Sequence, residues 1–231
     1  MSLPFFFVDR LNETTVVLNE ETSKHIIAVL RMQRGEKMML TDGQGRKAEA
    51  VITEENRKKC SVEILSVSNE EKTDNRIVIA ISLIKNASRF EWFLEKATEI
   101  GVDEIIPMIC ERTEKEKFRS ERMHGIVISA MLQSQQAWLP LLHEPASFEK
   151  IAAGEYENKF IAHCLLEQKH ALSAISKPSS SSLILIGPEG DFTKREIDGA
   201  LEKGFLPVAL GTTRLRTETA GLVAATLLRM K

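Results

Sequence analysis

The stretch that decides the fold is Leu183-Ile184-Leu185-Ile186-Gly187-Pro188-Glu189-Gly190, near the carboxyl end of the chain. Four consecutive aliphatic residues are typical of a buried strand, and Gly-Pro-Glu-Gly predicts a sharp turn where that strand ends. Thr193 and Glu196 then stand at the spacing of a capping box, which predicts that a helix follows. The stretch is therefore predicted to be one strand-loop-helix unit, although four loop residues alone would also suit an ordinary β-turn.

A second unit of the same kind follows directly. Phe205–Leu210 is predicted to be a strand that stops at Gly211, and Arg214-Leu215-Arg216-Thr217-Glu218-Thr219-Ala220-Gly221 opens a terminal apolar helix. In open α/β sheets, ligands bind in the crevice beyond the carboxyl ends of the strands. The two loops are therefore expected to form one ligand site. Neither loop matches a GxGxxG or P-loop fingerprint, so the sequence supports neither a dinucleotide nor a P-loop site.

Composition and charge narrow the class of protein. The chain has 231 residues and a net charge of -2 from 31 basic and 33 acidic side chains. Proteins that bind polyanions in bulk are usually basic, so any RNA binding is expected to use a local patch or one face of a dimer. No apolar run approaches the roughly 20 residues that span a bilayer. Three scattered cysteines argue against a disulfide framework and a cysteine metal site, which predicts a cytoplasmic protein with reduced thiols.

The first third of the chain is predicted to be rich in β-structure. Several short strands with tight turns, among them the Asp42-Gly43 hairpin turn, are typical of a small barrel. One short helix is expected there, with Ser23 as its cap. The polar run Ser68–Arg76 is predicted to be the linker to the next domain.

Beyond the linker, strands and helices alternate, which predicts a parallel sheet. Ser88 and Glu91 form a candidate capping box for a helix that stops at Gly101. Pro107 predicts that its strand is bent or lies at an edge, because proline cannot donate to a strand ladder. A further strand is expected over Lys159–Leu166.

The two loops together resemble the bacterial small-subunit ribosomal RNA uridine-N3 methyltransferases of the SPOUT superfamily. The match extends nearly end to end, in order. Besides the loops it includes His25-Ile26, Val29-Leu30-Arg31-Met32, Gly35-Glu36, Lys96-Ala97-Thr98-Glu99-Ile100-Gly101-Val102 and Glu111-Arg112-Thr113. Three positions depart from the family pattern. Leu132 and Gln136 stand where the family usually has Glu and Arg, and Asp191 replaces a second glycine, which is expected to alter the helix entry more than the chemistry.

The resemblance implies a fold, a cofactor and partners. It implies a PUA-like, RNA-binding barrel over residues 1–72 and an α/β SPOUT domain over 73–231, with a trefoil knot in about residues 160–231. It also implies S-adenosylmethionine, 16S rRNA in the 30S subunit and a homodimer, and no metal is expected. By position, the residues implied for the cofactor are Cys164, Ile186, Gly187, Glu189, Gly190, Leu210, Gly211, Leu215, Arg216 and Thr217.

The catalytic candidates are Arg214, Arg216 and Glu218. The arginines are placed to stabilise negative charge on the uracil oxygens. Glu218 is one candidate for the base that removes the N3 proton, although two nearby arginines would make it a weaker base. A helix-end charge, or a partner for Arg216, is an equally suitable role. Candidate phosphate contacts, each equally suited to an ordinary surface charge, are Arg31, Lys85, Arg112, Lys194 and Arg195.

Two other functions stay open on the sequence. One is a SPOUT methyltransferase with another RNA target, such as a tRNA ribose 2′-hydroxyl, which would show itself in the position of the methyl group. The other is a non-catalytic RNA-binding or assembly protein, which would not bind S-adenosylmethionine. His163, near the expected site, suits a structural role better than a catalytic one because no Ser or Cys partner stands at useful spacing. The small residues of the terminal helix suit either a dimer contact or packing on its own sheet.

Overall fold

The computed structural model describes residues 3–11, 13–114, 117–165, 168–175 and 181–230. The chain divides into two compact units. The first runs to Lys72 and also includes Met131–Leu139, and the second comprises Thr73–Ala130 and the chain from Pro140 onward.

The first unit is built on a five-stranded sheet in the order β1-β3-β4-β5-β2. The strands are β1 (Phe5–Phe7), β2 (Thr15–Val17), β3 (Lys37–Thr41), β4 (Arg46–Glu54) and β5 (Ser61–Asn69). All pairs are antiparallel except β1 with β3. Alternate residues of β3 and β4, among them Met38, Leu40 and Ile52, point into one buried core. The predicted small β-rich domain is confirmed, although β5 extends to Asn69, so the linker begins later than predicted.

The predicted cap of the first helix was wrong. Helix α1 (Glu20–Lys24) begins after Asn19, whose side chain accepts from the Thr22 amide. A π-helical turn, His25–Val29, continues it. Ser23 is instead buried inside the unit, where its hydroxyl accepts from the Cys60 amide at 2.9 Å. A serine near a helix start can therefore serve a buried backbone group rather than the helix end.

The segment 131–139 joins the first unit through the β3–β4 hairpin. The Gly45 amide donates to the Ala137 carbonyl at 2.9 Å, and the indole of Trp138 donates to the Glu70 carbonyl at 3.0 Å. A Cβ on Gly45 would lie 2.4 Å from the Trp138 ring, so only glycine fits. From the sequence, this segment, which contains Leu132 and Gln136, is predicted to lie in the second domain. These contacts join residues far apart along the chain, so no local sequence pattern predicts them.

The second unit is built on a parallel sheet in the order β11-β13-β10-β12-β6-β7-β8. Its strands are β6 (Ile77–Ser82), β7 (Glu104–Ile109), β8 (Leu141–Leu142), β9 (Ala146–Ser147), β10 (Asn158–Ala162), β11 (His170–Ala171), β12 (Ser182–Ile186) and β13 (Leu206–Ala209). The central strands are buried throughout, which explains their continuous aliphatic sequences. The predicted parallel sheet is confirmed. Leu166, the predicted end of β10, lies outside the described residues.

Pro107 does not mark an edge strand. β7 pairs with β6 on one side and with two short strands, β8 and β9, on the other. The bridges to β8 involve Glu104 and Ile105, and those to β9 involve Met108 and Ile109. Pro107 therefore lies at the gap between the two short strands, where no amide is needed.

Among the residues that the structure describes, five α-helices accompany this sheet: α2 (Ala87–Ile100), α3 (Ser120–Gln133), α4 (Phe148–Ala152), α5 (Lys194–Glu202) and α6 (Thr217–Arg229). The capping box predicted at Thr193 and Glu196 is present on α5. The one predicted for α2 is wrong, because Asn86 is the cap and Glu91 instead forms an ion pair with Arg122 at 2.6 Å. In the described parts of the chain, no helix is long and apolar enough to cross a membrane.

Candidate functional site

Two adjoining cavities lie where β10, β12 and β13 end. Their volumes are about 450 and 380 Å³, within the range typical of small-molecule sites. The lining residues common to both are Ala162, Cys164, Arg214, Leu215 and Ala220. The first cavity is formed by the loop after β12 and the start of α6, and the second by the loop after β13. The two loops predicted to form one ligand site thus surround one two-part recess.

Nearly all the residues predicted for the cofactor line this recess. The first cavity is lined by Cys164, Ile186, Gly187, Glu189, Leu215, Arg216 and Thr217, and the second by Cys164, Leu210, Gly211 and Leu215. Gly190 is the exception, because it lines neither cavity. Its carbonyl accepts from the Arg112 guanidinium at 2.8 Å, so it faces Arg112.

A buried hydrogen bond ties the two loops together. The Thr217 hydroxyl donates to the Gly187 carbonyl at 3.0 Å. Thr217 is the first residue of α6, whose N-cap, Arg216, has an extended backbone. The start of α6 is therefore held against the end of β12, so the free amides of a helix N-terminus lie beside the first cavity.

Glu218 is the most unusual group in the recess. Its side chain is only 8% exposed, yet it lines the first cavity. One carboxylate oxygen lies 3.7 Å from Nε of Arg89, and the other has no hydrogen-bond partner among the described residues. A buried carboxylate oxygen normally accepts at least one hydrogen bond. A ligand N–H or O–H in the first cavity is therefore the natural donor for Glu218.

Arg89 is a residue of the recess that the sequence did not predict. It lies in the first turn of α2, far along the chain from both loops, and it lines the first cavity. The ion pair of Glu218 is with Arg89 and not with Arg216, the partner considered from sequence. No local signal distinguishes Arg89 from other charged residues at helix starts, because its role depends on α6 packing against α2.

The charges of the first cavity are balanced. Three guanidinium groups and three carboxylates line it: Arg89, Arg214, Arg216, Glu189, Asp191 and Glu218. Arg214 and Arg216 are exposed, so their charges can reach a bound molecule. Such a cavity can bind a ligand with a cationic group while stabilising negative charge that develops on a second reactant.

The predicted phosphate contacts lie outside both cavities. Three of them have protein partners: Lys85 pairs with Glu114 at 2.6 Å, Lys194 pairs with Asp198 at 3.1 Å, and Arg112 binds the Gly190 carbonyl. Arg31 and Arg195 are exposed. Arg112 thus supports the loop after β12, in addition to any contact with a polyanion.

The three thiols differ in environment. None of the three forms a disulfide bond in the structure. Cys60 and Cys110 are buried, and burial raises the pKa of both thiols above the ordinary value. Cys164 is exposed and lines both cavities. Among the described residues, no group of three or more His, Cys, Asp or Glu side chains is placed to hold a metal ion.

His163 is buried beside the second cavity. Its backbone carbonyl accepts from the Lys169 ammonium at 2.6 Å, which fixes the loop after β10. This contact involves the main chain, so the structural role expected for the imidazole stays a prediction.

Known proteins resemble this chain in both units. Residues 70–229 match a family described as the RNA methyltransferase domain, and residues 18–65 match one described as the RNA methyltransferase PUA domain. The ribosomal RNA small subunit methyltransferase E of Synechocystis is 32% identical over 226 residues, covering 94% of this chain and 73% of the relative.

Two solved structures show the same fold. A probable rRNA methyltransferase from Porphyromonas gingivalis has a TM-score of 0.93 at 39% identity, covering 99% of this chain and 98% of the other. The ribosomal RNA small subunit methyltransferase E of Neisseria gonorrhoeae, bound to S-adenosyl methionine, has a TM-score of 0.87 at 30% identity, covering 99% and 97%.

Proposed function

Because this chain belongs to the ribosomal RNA small subunit methyltransferase E family, we propose that it transfers a methyl group from S-adenosylmethionine to N3 of a uridine in 16S rRNA. The observation that carries the proposal is the two-part recess with Glu218 buried at one end. The acceptor atom and the specific uridine come from the family resemblance. The 30S subunit is the proposed substrate particle.

The recess suits the cofactor in size and in donors. A bound S-adenosylmethionine would supply an electrophilic methyl group on a sulfonium. The second cavity offers apolar side chains, such as Val208 and Leu210, for a flat heterocycle, and the first offers carboxylates for cationic groups. The residues that would hold the cofactor are Cys164, Ile186, Gly187, Glu189, Leu210, Gly211, Leu215, Arg216 and Thr217.

The chain's own chemical task is the proton on uridine N3. Methyl transfer requires the N3–H bond to break, and the free oxygen of Glu218 is placed to accept that proton within the first cavity. The negative charge left on the uracil is stabilised by Arg214 and Arg216, which line the same cavity. Arg89 holds Glu218 in place. Positioning the two reactants supplies much of the remaining rate.

The knot and the dimer are further parts of the proposal. The segment from Leu210 to Arg216 connects β13, beside β10, to α6, which packs on β6 and α2 beyond β12. This path across the ends of two strands supports a trefoil knot.

The small residues of α6, Gly221, Ala224 and Ala225, are buried within the chain, so a homodimer would use the other face of this helix. Sedimentation at micromolar concentration separates dimer from monomer.

The protein is proposed to act in the cytoplasm, where ribosomes are assembled. Within the chain, the first unit is proposed to hold the rRNA. Exposed basic residues such as Arg31 would contribute to RNA binding, which should then weaken as salt is raised. A salt-independent affinity for rRNA would contradict this part of the proposal.

The activity is tested with 30S subunits from a strain that lacks the gene. Incubation with the protein and S-adenosylmethionine should add one methyl group to one uridine, and mass spectrometry of digested 16S rRNA should place it on the base. A methyl group on a ribose or in tRNA would instead support another RNA target. Failure to bind S-adenosylmethionine in calorimetry would support a non-catalytic protein.

Alkylation of the thiols gives an independent prediction about the recess. Cys164 should react with iodoacetamide first, because it is exposed while burial raises the pKa of Cys60 and Cys110. Saturating S-adenosylmethionine should slow this reaction about tenfold or more, because the occupied fraction is protected. Peptide mass spectrometry over time measures both effects. Equal labelling of Cys164 with and without the cofactor would exclude it from the cofactor site.

A further inference from the structure

Asp191 has a left-handed backbone conformation, which is uncommon for residues other than glycine. Its φ is +62°, in the left-handed region that favours glycine. Its amide donates to the Pro188 carbonyl at 2.9 Å, which closes the turn after β12. From the sequence, aspartate at this position is expected to alter mainly the entry of the following helix. A glycine would fit this backbone conformation at least as well, so what distinguishes aspartate at this position is its side chain.

The carboxylate of Asp191 joins two loops. One oxygen accepts from the Cys164 amide at 2.8 Å, and the other accepts from the Phe192 amide at 2.9 Å. Cys164 belongs to the loop after β10, and β10 pairs with β12 only as far as Ala162 and Ile186. The bond to Cys164 therefore continues the link between the two chain segments beyond the end of their strand ladder.

This link lies at the centre of the recess. Asp191 lines the first cavity, and Cys164 lines both. The Cys164 peptide is thus part of the wall that the two cavities share. If that peptide moved, both cavities would change shape together.

We propose that Asp191 is a positioning residue for the methyl donor. Its carboxylate fixes the Cys164 peptide, so that the two cavities accept one ligand across their common wall. The inference rests on the proposed function, because it takes S-adenosylmethionine as the ligand. The hydrogen bond to Cys164, rather than the negative charge of Asp191, is what positions the donor. Because glycine and asparagine also tolerate the φ of Asp191, variants can remove the hydrogen bond or the charge without straining the backbone.

The test compares three variants. Asp191→Gly suits the φ of +62° and removes both hydrogen bonds, whereas Asp191→Asn tolerates that φ and keeps one oxygen acceptor without the charge. Asp74→Gly, at an exposed bend of the same unit, is the matched control. Calorimetry with S-adenosylmethionine measures the Kd, methylation of 30S subunits measures kcat and KM, and thermal unfolding reports on stability.

The expected result is a split between binding and turnover. Asp191→Gly should raise the Kd and the KM for S-adenosylmethionine about tenfold, the loss expected when one intramolecular hydrogen bond that orders the site, here the bond to Cys164, is removed. Its kcat at saturation and its unfolding midpoint should stay close to those of the wild type. Asp191→Asn should recover most of the affinity, and Asp74→Gly should bind like the wild type.

Two results would overturn the inference. Wild-type affinity in Asp191→Gly would show that the bond to Cys164 is irrelevant to the donor, and equal losses in the Gly and Asn variants would show that the charge matters instead. A wild-type protein that does not bind S-adenosylmethionine would count against the proposed function itself, so the two failures are distinguishable.

Discussion

Glu218→Gln is expected to lower the rate of uridine methylation about 100- to 10,000-fold, the range for loss of a positioned general base. The amide has nearly the same shape as the carboxylate but cannot accept the N3 proton. The loss should fall on kcat, measured in single-turnover reactions on 30S subunits with saturating S-adenosylmethionine. The Kd for S-adenosylmethionine should change little, because the proposed role of Glu218 is toward the uracil.

Two further variants make this prediction specific. Glu202→Gln, an exposed position on α5, should retain wild-type activity. Arg89→Lys keeps the positive charge near Glu218 but loses the guanidinium geometry, so an intermediate loss is expected. A Glu218→Gln enzyme that turns over at nearly the wild-type rate would remove Glu218 as the base and leave it as a structural partner of Arg89.

Gly221→Ala is expected to destabilise the protein by about 1–3 kcal/mol, the usual cost of overpacking a core. A Cβ at this position would lie 2.6 Å from the Phe93 ring and 3.0 Å from the Ile81 side chain, and both neighbours are fully buried. α6 would have to move away from α2, and its first turn carries Thr217 and Glu218. Urea or thermal unfolding measures the stability, and a loss of S-adenosylmethionine affinity should accompany it.

A glycine-to-alanine substitution on α5 should instead stabilise the protein. Gly199 lies within α5, and a Cβ there would meet no atom within 4 Å. Gly199→Ala should therefore stabilise the protein by about 0.5–1 kcal/mol, because alanine is the better helix former. If both variants were stabilising, the close packing of α6 on α2 at Gly221 would not exist in solution.

Sequence patterns identified the elements around the site better than its contacts. The aliphatic run that became β12, the capping box of Thr193 and Glu196 and the end of α2 at Gly101 are each decided by neighbours a few residues away. Where a local pattern allowed two uses, the prediction failed. Ser23 does not cap α1, and its hydroxyl instead accepts from the buried Cys60 amide. Glu91 does not cap α2, and its carboxylate instead pairs with Arg122.

The sequence by itself thus predicted two strand-loop-helix units near the carboxyl end, because strand and helix periodicities and glycine turns are local properties. Only the tertiary structure decided which side chains meet there. The hydrogen bonds of Thr217 to Gly187 and of Asp191 to Cys164 join residues 30 and 27 positions apart, and Arg89 reaches Glu218 from another helix. These contacts depend on strand order and helix packing, which bring together residues that no short-range pattern relates.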